Sequence, residues 1–153
     1  MIKPLTIILF VLCSFQSWAN TDQQIMQPIN NLFDAMRAHD GEKLKAQFTD
    51  KATLERATKE NSIHRSDLAK FAEFVADSDK YLDEQLFNVS ISHSGNLASV
   101  WTPFAFYLDG KLSHCGVNSI QLVKQDAQWK IHYLIDNAYQ GDCQQFINEQ
   151  KAR

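Results

Sequence analysis

A histidine and an asparagine occupy positions where they can act together on one face of a strand. His114 and Asn118 lie in residues 111–124, a segment with the period-2 pattern of a β-strand. Because side chains alternate between the two faces of a strand, His114 and Asn118 share a face with Gly116 and Ile120. Polar groups on an apolar face are costly unless they bond to each other, to water or to a ligand. The pattern indicates either a functional site or a buried histidine satisfied by a neighbouring carbonyl or hydroxyl.

These residue types support proton transfer. An imidazole titrates near neutral pH and is a candidate general base, and Asp136 on the last strand is a second candidate. Asn118 or Tyr133 would stabilise the negative charge that develops. Strand alternation places Tyr133 on one face and Asp136 on the other, so we expect Asp136 to reach a pocket only if a bulge or the strand's end turns it.

Aromatic residues on the preceding strand complete the expected ligand-binding set. Trp101 is expected at the mouth of a pocket or in the core. Pro103 has no N–H to donate to a neighbouring strand, so it marks an edge position or a bulge. The sequence therefore leaves open which face of the strand each residue after Pro103 occupies. Phe104 and Phe106 are candidates on these grounds, and Tyr107 is better suited to the surface of a hairpin.

The composition and the cysteine and histidine spacing exclude several function classes. A net charge of -3 gives no electrostatic reason for nucleic-acid binding. Five histidines are widely separated, and neither C-x-x-C nor H-E-x-x-H occurs. His114 and Cys115 are neighbours on a strand and point apart. We therefore expect no metal, no cofactor and no nucleic-acid partner.

The N-terminal segment is predicted to be a cleaved secretory signal. Lys3 precedes an 11-residue apolar run from Leu5 to Phe15, and Ser17-Trp18-Ala19 supplies small residues at the recognition positions. The run is shorter than the roughly 20 residues that span a bilayer. We expect residues 1–19 to be removed, residues 20–153 to form one domain without membrane association, and the protein to be periplasmic or secreted.

Export predicts a disulfide between the two cysteines that remain, Cys115 and Cys143. An even pair in a small domain from an oxidising compartment is most simply a disulfide. Closing this loop would stabilise the fold by about 3.5 kcal/mol on the chain-entropy account.

The hydrophobic pattern changes from helical to strand spacing along the chain. A first helix is predicted to begin between Gln23 and Pro28, because proline fits a first turn. A second helix is predicted to reach about Gln47, and a third is predicted to be capped by Ser66. Asp109-Gly110 signals a type I′ hairpin. Residues 61–65 are predicted to be loop, and the segment after Asp136 a polar tail. The predicted strands are residues 52–57, 87–92, 97–108, 111–124 and 129–136.

This order predicts an α+β fold in which N-terminal helices pack on one face of a strongly curved antiparallel sheet, forming a cone. The segments LFDAMRAHDGEKLKAQFTDKATL, RSDLAKFAEFV and VWTPFAFYLDGKLSHCGVNSIQLVKQDAQWKIHYLID resemble the nuclear transport factor 2-like superfamily, which includes ketosteroid isomerase-like and polyketide cyclase-like proteins. The last segment resembles an exported bacterial subgroup without assigned activity. The resemblance implies a cone-shaped cavity and a homodimer formed through the outer sheet face.

Three function classes remain open from the sequence. The first is an exported protein that binds a small apolar or amphipathic ligand in the cone. The second is a proton-transfer or hydration enzyme, of isomerase, cyclase or dehydratase type, that uses His114. The third is a homodimeric interaction module whose cone is filled by side chains. An open cavity that exposes His114 and Asn118 would favour the first two classes.

Overall fold

The computed structural model describes the backbone of residues 16–152 and the side chains of residues 21–152. The expected signal peptide, residues 1–19, lies almost entirely outside the described residues. Within residues 16–152, no helix is both long enough and apolar enough to cross a membrane. The helices are α1 (Gln16–Arg37), α2 (Gly41–Lys45), α3 (Leu68–Asp77) and α4 (Cys143–Lys151). The strands are β1 (Phe48–Ala57), β2 (Ile63–Ser66), β3 (Leu82–Leu86), β4 (Ser90–Ser94), β5 (Leu97–Leu108), β6 (Lys111–Gln125) and β7 (Gln128–Ala138).

The seven described strands form one curved sheet, as the α+β prediction requires. Their order is β2-β1-β7-β6-β5-β3, and β4 pairs with β5 beyond the end of β3. The sheet is not wholly antiparallel, because β1 runs parallel to β7. That part of the prediction is wrong. The connection from β1 to β7 passes through most of the chain, so no short-range turn signal could indicate this pairing.

The main core lies between the inner face of the sheet and helices α1 and α3. Ile25, Ile29 and Leu32 recur at helical spacing on α1 and are 0–2% exposed. Ile120 and Leu122 of β6 meet them from the sheet and are fully buried. The predicted inner face of β6 is therefore confirmed.

The β5–β6 hairpin is confirmed at its predicted turn. Asp109 and Gly110 have φ values of 51° and 73°, as a type I′ turn requires. Pro103 causes no register shift, since it pairs with Val117 of β6. On its other side, Pro103 falls between the residues that pair with β4 and those that pair with β3. Its missing N–H is thus placed where no strand would accept it.

Several helix boundaries differ from prediction. Helix α1 begins by Gln16, and Pro28 lies in its interior rather than in its first turn. An interior proline costs one helical hydrogen bond, and the buried apolar stripe of α1 supplies the packing that offsets this cost. Helix α2 ends at Lys45 instead of about Gln47. The N-cap of α3 is Asp67, whose side chain accepts from the N–H of Lys70 at 3.0 Å, and not Ser66.

Three further segments of the chain were predicted incorrectly. Residues 63–66, which include most of the predicted loop, form β2 and pair with β1. The strand expected at residues 87–92 is interrupted, because Asn88 adopts a φ of 41° between β3 and β4. The C-terminal segment is not an irregular tail, since Asp142 caps helix α4 by accepting from the N–H of Gln145. Strand β2 pairs locally with β1, whereas Asn88 bonds Gln150 and α4 packs on β5 and β6, which are distant in sequence.

Helix α4 packs on the outer face of the sheet and is joined to it covalently. Cys115 of β6 and Cys143 at the start of α4 form the predicted disulfide. Phe146 and Ile147 of α4 bury against Cys115 and Ala105, forming a second apolar cluster. The disulfide therefore anchors a short helix that has only a small core of its own.

The variant Cys143→Ser should lower the free energy of unfolding by about 3.5 kcal/mol, because the 28-residue separation of the two cysteines is no longer closed in the unfolded chain. Urea unfolding of the oxidised wild type and the variant measures this difference. The wild type treated with reductant is the matched control, and its urea midpoint should equal that of the variant. Identical midpoints for oxidised wild type and variant would contradict the prediction.

Candidate functional site

A cavity of about 520 Å³ opens between the inner face of the sheet and helices α1 and α3. Its volume is within the range of small-molecule pockets. The apolar lining consists of Leu32, Phe33, Met36, Leu54, Phe71, Phe74, Leu82, Phe106, Leu108 and Leu134. The polar lining consists of Glu55, Arg56, His64, Ser66, Glu84, His114, Asn118 and Asp136. The cone is therefore hollow and mostly apolar, with polar groups supplied by five strands.

Asp136 reaches this cavity because β7 contains a bulge. Leu122 of β6 pairs with Ile131 and the adjacent Gln121 pairs with Tyr133, so His132 is an extra residue in the ladder. A one-residue insertion exchanges the two faces of every residue that follows it. Asp136 turns inward as a result, which meets the condition set from the sequence.

The same bulge corrects the predicted position of Tyr133. Its side chain was expected on the face of Ile131, but it is not among the residues that line the cavity. Its hydroxyl instead donates to Oε2 of Glu55 at 2.8 Å. Tyr133 is therefore not placed to stabilise negative charge in the cavity.

The aromatic candidates on β5 lie on different faces of the sheet, because side chains alternate along a strand. Phe106 lines the cavity, and Phe104 is fully buried, with its ring centroid 5.7 Å from that of His114 and the two rings nearly perpendicular. Trp101 lies outside the cavity and its side chain is 55% exposed. Its neighbours Val100 and Thr102 are fully buried and point inward, so Trp101 faces outward. The expected position of Trp101 at the mouth or in the core is wrong.

Arg56 and Asp136 form an ion pair at one side of the cavity. They are partners in the parallel register of β1 and β7. Nε of Arg56 donates to Oδ1 of Asp136 at 2.8 Å, and Nη2 donates to Oδ2. The hydrogen bonds to Asp136 raise the pKa of Arg56 above its ordinary value. Both oxygens of Asp136 are thus engaged by one guanidinium, which makes this carboxylate a poor general base.

Asn118 and Glu84 form a second polar pair beside the first. Nδ2 of Asn118 donates to Oε1 of Glu84 at 2.7 Å, and Asn118 is 3% exposed. Asn118 is also the register partner of Asp136. The four residues therefore make a row across the inner sheet, in the order Arg56, Asp136, Asn118, Glu84. We call them the polar row.

The carboxyl group of Glu84 titrates near neutral pH. Burial is the largest cause and raises its pKa to about 7, and the nearby charges of Asp136 and Asp83 act in the same direction. The hydrogen bond from Asn118 and the charge of Arg56 oppose the rise. Because Arg56 is already paired with Asp136, the row holds two carboxyl groups against one cation.

His114 faces the cavity next to Phe104 and Phe106. Its ring centroid is 5.1 Å from that of Phe106, and its Nδ1 lies 3.2 Å from Oγ of Ser113. Burial lowers the pKa of His114, and the positive charge of Arg56 lowers it further. His114 is therefore mainly neutral at pH 7 and able to accept a proton.

Glu84 and Arg56 were not among the site residues predicted from the sequence. A signal for Glu84 was present, because Leu82 and Leu86 flank it at period 2 and place a carboxylate on an apolar strand face. Leu54 and Arg56 show the same arrangement on β1. Neither segment contains the long alternating run that made β5 and β6 conspicuous.

The variant Glu84→Gln should be more stable than the wild type at about pH 8 by up to about 3 kcal/mol, and nearly equal to it below about pH 4.5. The folded protein binds this proton more tightly than the unfolded chain, so wild-type stability falls as the pH rises from about 4.5 to about 7. Glutamine still accepts the hydrogen bond from Asn118 but carries no charge. Urea unfolding across this pH range measures the effect. Glu60→Gln, at a side chain 63% exposed, is the matched control and should show no such dependence. A constant difference between Glu84→Gln and wild type at all pH values would contradict the prediction.

Solved structures share this fold at low sequence identity. A protein of unknown function from Mycobacterium tuberculosis aligns with a TM-score of 0.71 and 16% identity, over 88% of this chain and 80% of that one. A proposed scytalone dehydratase from Novosphingobium aromaticivorans aligns with a TM-score of 0.67 and 15% identity, over 79% of this chain and 85% of that one. A proposed dehydratase of the nuclear transport factor 2-like family from Streptomyces avermitilis aligns with a TM-score of 0.65 and 18% identity, over 80% of this chain and 99% of that one. At these identities the likeness establishes the fold alone.

A family match covers most of the chain. No curated protein matches the sequence significantly. The SnoaL-like domain family matches residues 25–134, which extend from the buried Ile25 of α1 to the cavity-lining Leu134 of β7. The chain therefore belongs to the SnoaL-like domain family and has the nuclear transport factor 2-like fold.

Proposed function

We propose that the protein binds a small amphipathic molecule in its cone-shaped cavity. The observation that carries this proposal is the polar row at one side of an open, mostly apolar cavity of about 520 Å³. A cone that served only as packing would be filled by side chains, and apolar residues of similar volume could replace Asn118 and Glu84 together at little cost in stability. The hollow interior thus supports a ligand-binding role over an interaction module.

A disulfide and the N-terminal apolar run together support export. Cys115 and Cys143 form a disulfide across the outer sheet face, and such bonds persist in oxidising compartments. We therefore propose that the protein is processed after Ala19 and is active in the periplasm or outside the cell. Pairing of two copies through the outer face, as the resemblance implies, stays a proposal and would bury the exposed side chain of Trp101.

Native mass spectrometry of the protein purified from its own compartment tests the binding proposal. We expect a non-covalent adduct of small-molecule mass on the wild type. The variant Leu54→Trp should lose it, because the larger side chain occupies the cavity that Leu54 lines. Leu97→Trp is the matched control at a residue 54% exposed outside the cavity, and it should retain the adduct. A wild type without any adduct, or equal retention by both variants, would count against the proposal.

A second candidate function is proton transfer on the bound molecule. The specific observation in its favour is that a neutral His114 faces the same cavity as the polar row. His114 would remove a proton from a carbon of the ligand and return it to the same or a neighbouring atom. Asp136 is less suited to this role, since both its oxygens bind Arg56.

Deuterium incorporation detects this chemistry without knowledge of the product. The ligand recovered from the protein, incubated with fresh protein in D2O, should gain mass if a carbon-bound proton is exchanged. His114→Gln should abolish the exchange while binding persists, because the amide cannot accept a proton at neutral pH. Exchange at the wild-type rate in this variant would reject the role of His114.

A further inference from the structure

We propose that the cavity binds an amphipathic amine, whose ammonium group forms an ion pair with Glu84 and whose hydrocarbon body lies against the apolar lining. The inference rests on the proposed binding function and adds the chemical class of the ligand. The charges that line the cavity, and the partners that each of them already has, point to this class.

Glu84 has no cationic partner within residues 21–152. The side chain has one hydrogen bond there, in which Oε1 accepts from Nδ2 of Asn118 at 2.7 Å. Arg37 of α1 donates to the backbone carbonyl oxygen of Glu84, and its guanidinium is held by the side chains of Asp34 and Asp83. Glu84 lines the cavity, so Oε2 is the oxygen that a ligand can contact.

The other carboxyl groups of the lining already have cations beside them. Asp136 accepts from two nitrogens of Arg56, and Oε1 of Glu55 lies 4.0 Å from Nε of Arg65. When Glu84 is ionised, the polar row therefore carries one negative charge that none of its members balances. Charges inside a protein are costly unless they are paired. A ligand with one positive charge would supply the missing partner.

The surroundings of Glu84 suit an ammonium group attached to a hydrocarbon body. Phe106 is the register partner of Glu84 on β5 and lines the same cavity. Aromatic faces attract cations, and three further phenylalanine side chains belong to the lining, those of Phe33, Phe71 and Phe74. His114 is mainly neutral at pH 7, so it adds no positive charge that would repel the ligand.

This arrangement selects among ligand charges. A carboxylate ligand would add a second unbalanced negative charge to the polar row. A neutral ligand would leave Glu84 without an opposite charge. An ammonium group donates to Oε2 and neutralises the row, and such charge-assisted hydrogen bonds are stronger than neutral ones.

Binding of an amine should displace a proton from Glu84. Burial raises the pKa of Glu84 to about 7, so this carboxyl group is mostly protonated at about pH 6 when no ligand is bound. The ammonium charge favours the ionised form and so releases that proton. The other charged or titratable groups that face Glu84 or its cavity are Arg37, Glu55, Arg56, His64, Asp83, His114 and Asp136.

Two probes that differ in one group test the inference. They are 2-(1-naphthyl)ethylamine, which is a cation from about pH 6 to about pH 8, and its neutral counterpart 2-(1-naphthyl)ethanol. The affinity for the amine should rise about tenfold over this range, as the ionised fraction of Glu84 does. At about pH 8 the amine should bind more tightly than the alcohol. Calorimetry in buffers of different ionisation enthalpy should detect about one proton released per amine bound at about pH 6.

Three variants assign these effects. Glu84→Gln keeps the shape of the side chain without its charge, and at about pH 8 it should bind the amine about tenfold or more weakly than the wild type. The readout is the ratio of amine to alcohol affinity, because a general defect in the cavity would weaken both probes. His114→Gln should retain the rise with pH, which separates Glu84 from the other titratable group beside it. Glu60→Gln is the matched control at an exposed carboxyl group and should behave like the wild type.

Three outcomes would overturn the inference. They are an amine affinity that does not rise with pH, a rise or a proton release that persists in Glu84→Gln, and binding of the alcohol as tightly as the amine at about pH 8. Failure of both probes to bind would likewise overturn the assignment of an amine ligand. The binding proposal itself would then be decided by the native mass measurement, which uses neither probe.

Discussion

The structure depends on how polar groups inside an apolar cone satisfy one another. Arg56, Asp136 and Asn118 are register neighbours, Asn118 reaches across β5 to Glu84, and each of the four has at least one partner within the row. Removing any one of them would leave a charge or an amide without its partner in a region of low dielectric. Burial is the largest cause that raises the pKa of Glu84 to about 7, and the excess of carboxyl groups over cations in the row acts in the same direction. The protonation state of Glu84 therefore changes near neutral pH.

Backbone irregularities bring the row together. Without the extra residue at His132, Asp136 would face the outside of the sheet and Arg56 would have no inward partner. The parallel pairing of β1 with β7 is equally necessary, because it sets Arg56 directly beside Asp136. Bulges are common beside functional sites, where they redirect a side chain that regular alternation would place elsewhere. In this protein the bulge also moves Tyr133 out of the cavity.

The sequence predicts the fold better than it predicts the site. Strands β5 and β6, their Asp109-Gly110 turn and the inward face that carries His114 and Asn118 follow from local alternation and turn chemistry, which a single sequence displays. Strand β2 and helix α4 do not, because they are short and are stabilised by contacts with β1 and with the outer sheet face. Local propensity is a weak guide for such elements.

The site was incompletely predicted for the same reason. Asp136 could be placed only conditionally, since a bulge leaves no clear mark in an apolar-polar pattern. Glu84 and Arg56 lie on β3 and β1, at distances of 34 and 80 residues from the partners they bond. Nothing in the local sequence indicates such pairings. Trp101 was expected at the mouth of the pocket or in the core, whereas the alternation of β5 places it on the outer face.

Strand β6 is held from both sides, and this bears on how the cavity can work. His114 and Asn118 point into the cone, while Cys115 between them points outward and is bonded to Cys143 of α4. At Gly116, an added Cβ would lie 1.8 Å from the carbonyl oxygen of Asn137, so β6 and β7 approach closely at the level of the site. The strand that carries two of the polar groups is thus fixed by a covalent bond on one face and by close backbone contact along its edge. Binding to groups already held in place costs less ordering entropy than binding to mobile ones. Selectivity in such a cavity therefore comes from the charge and hydrogen-bonding balance of the polar row, because the strand itself has little freedom to adapt to a poorly matched ligand.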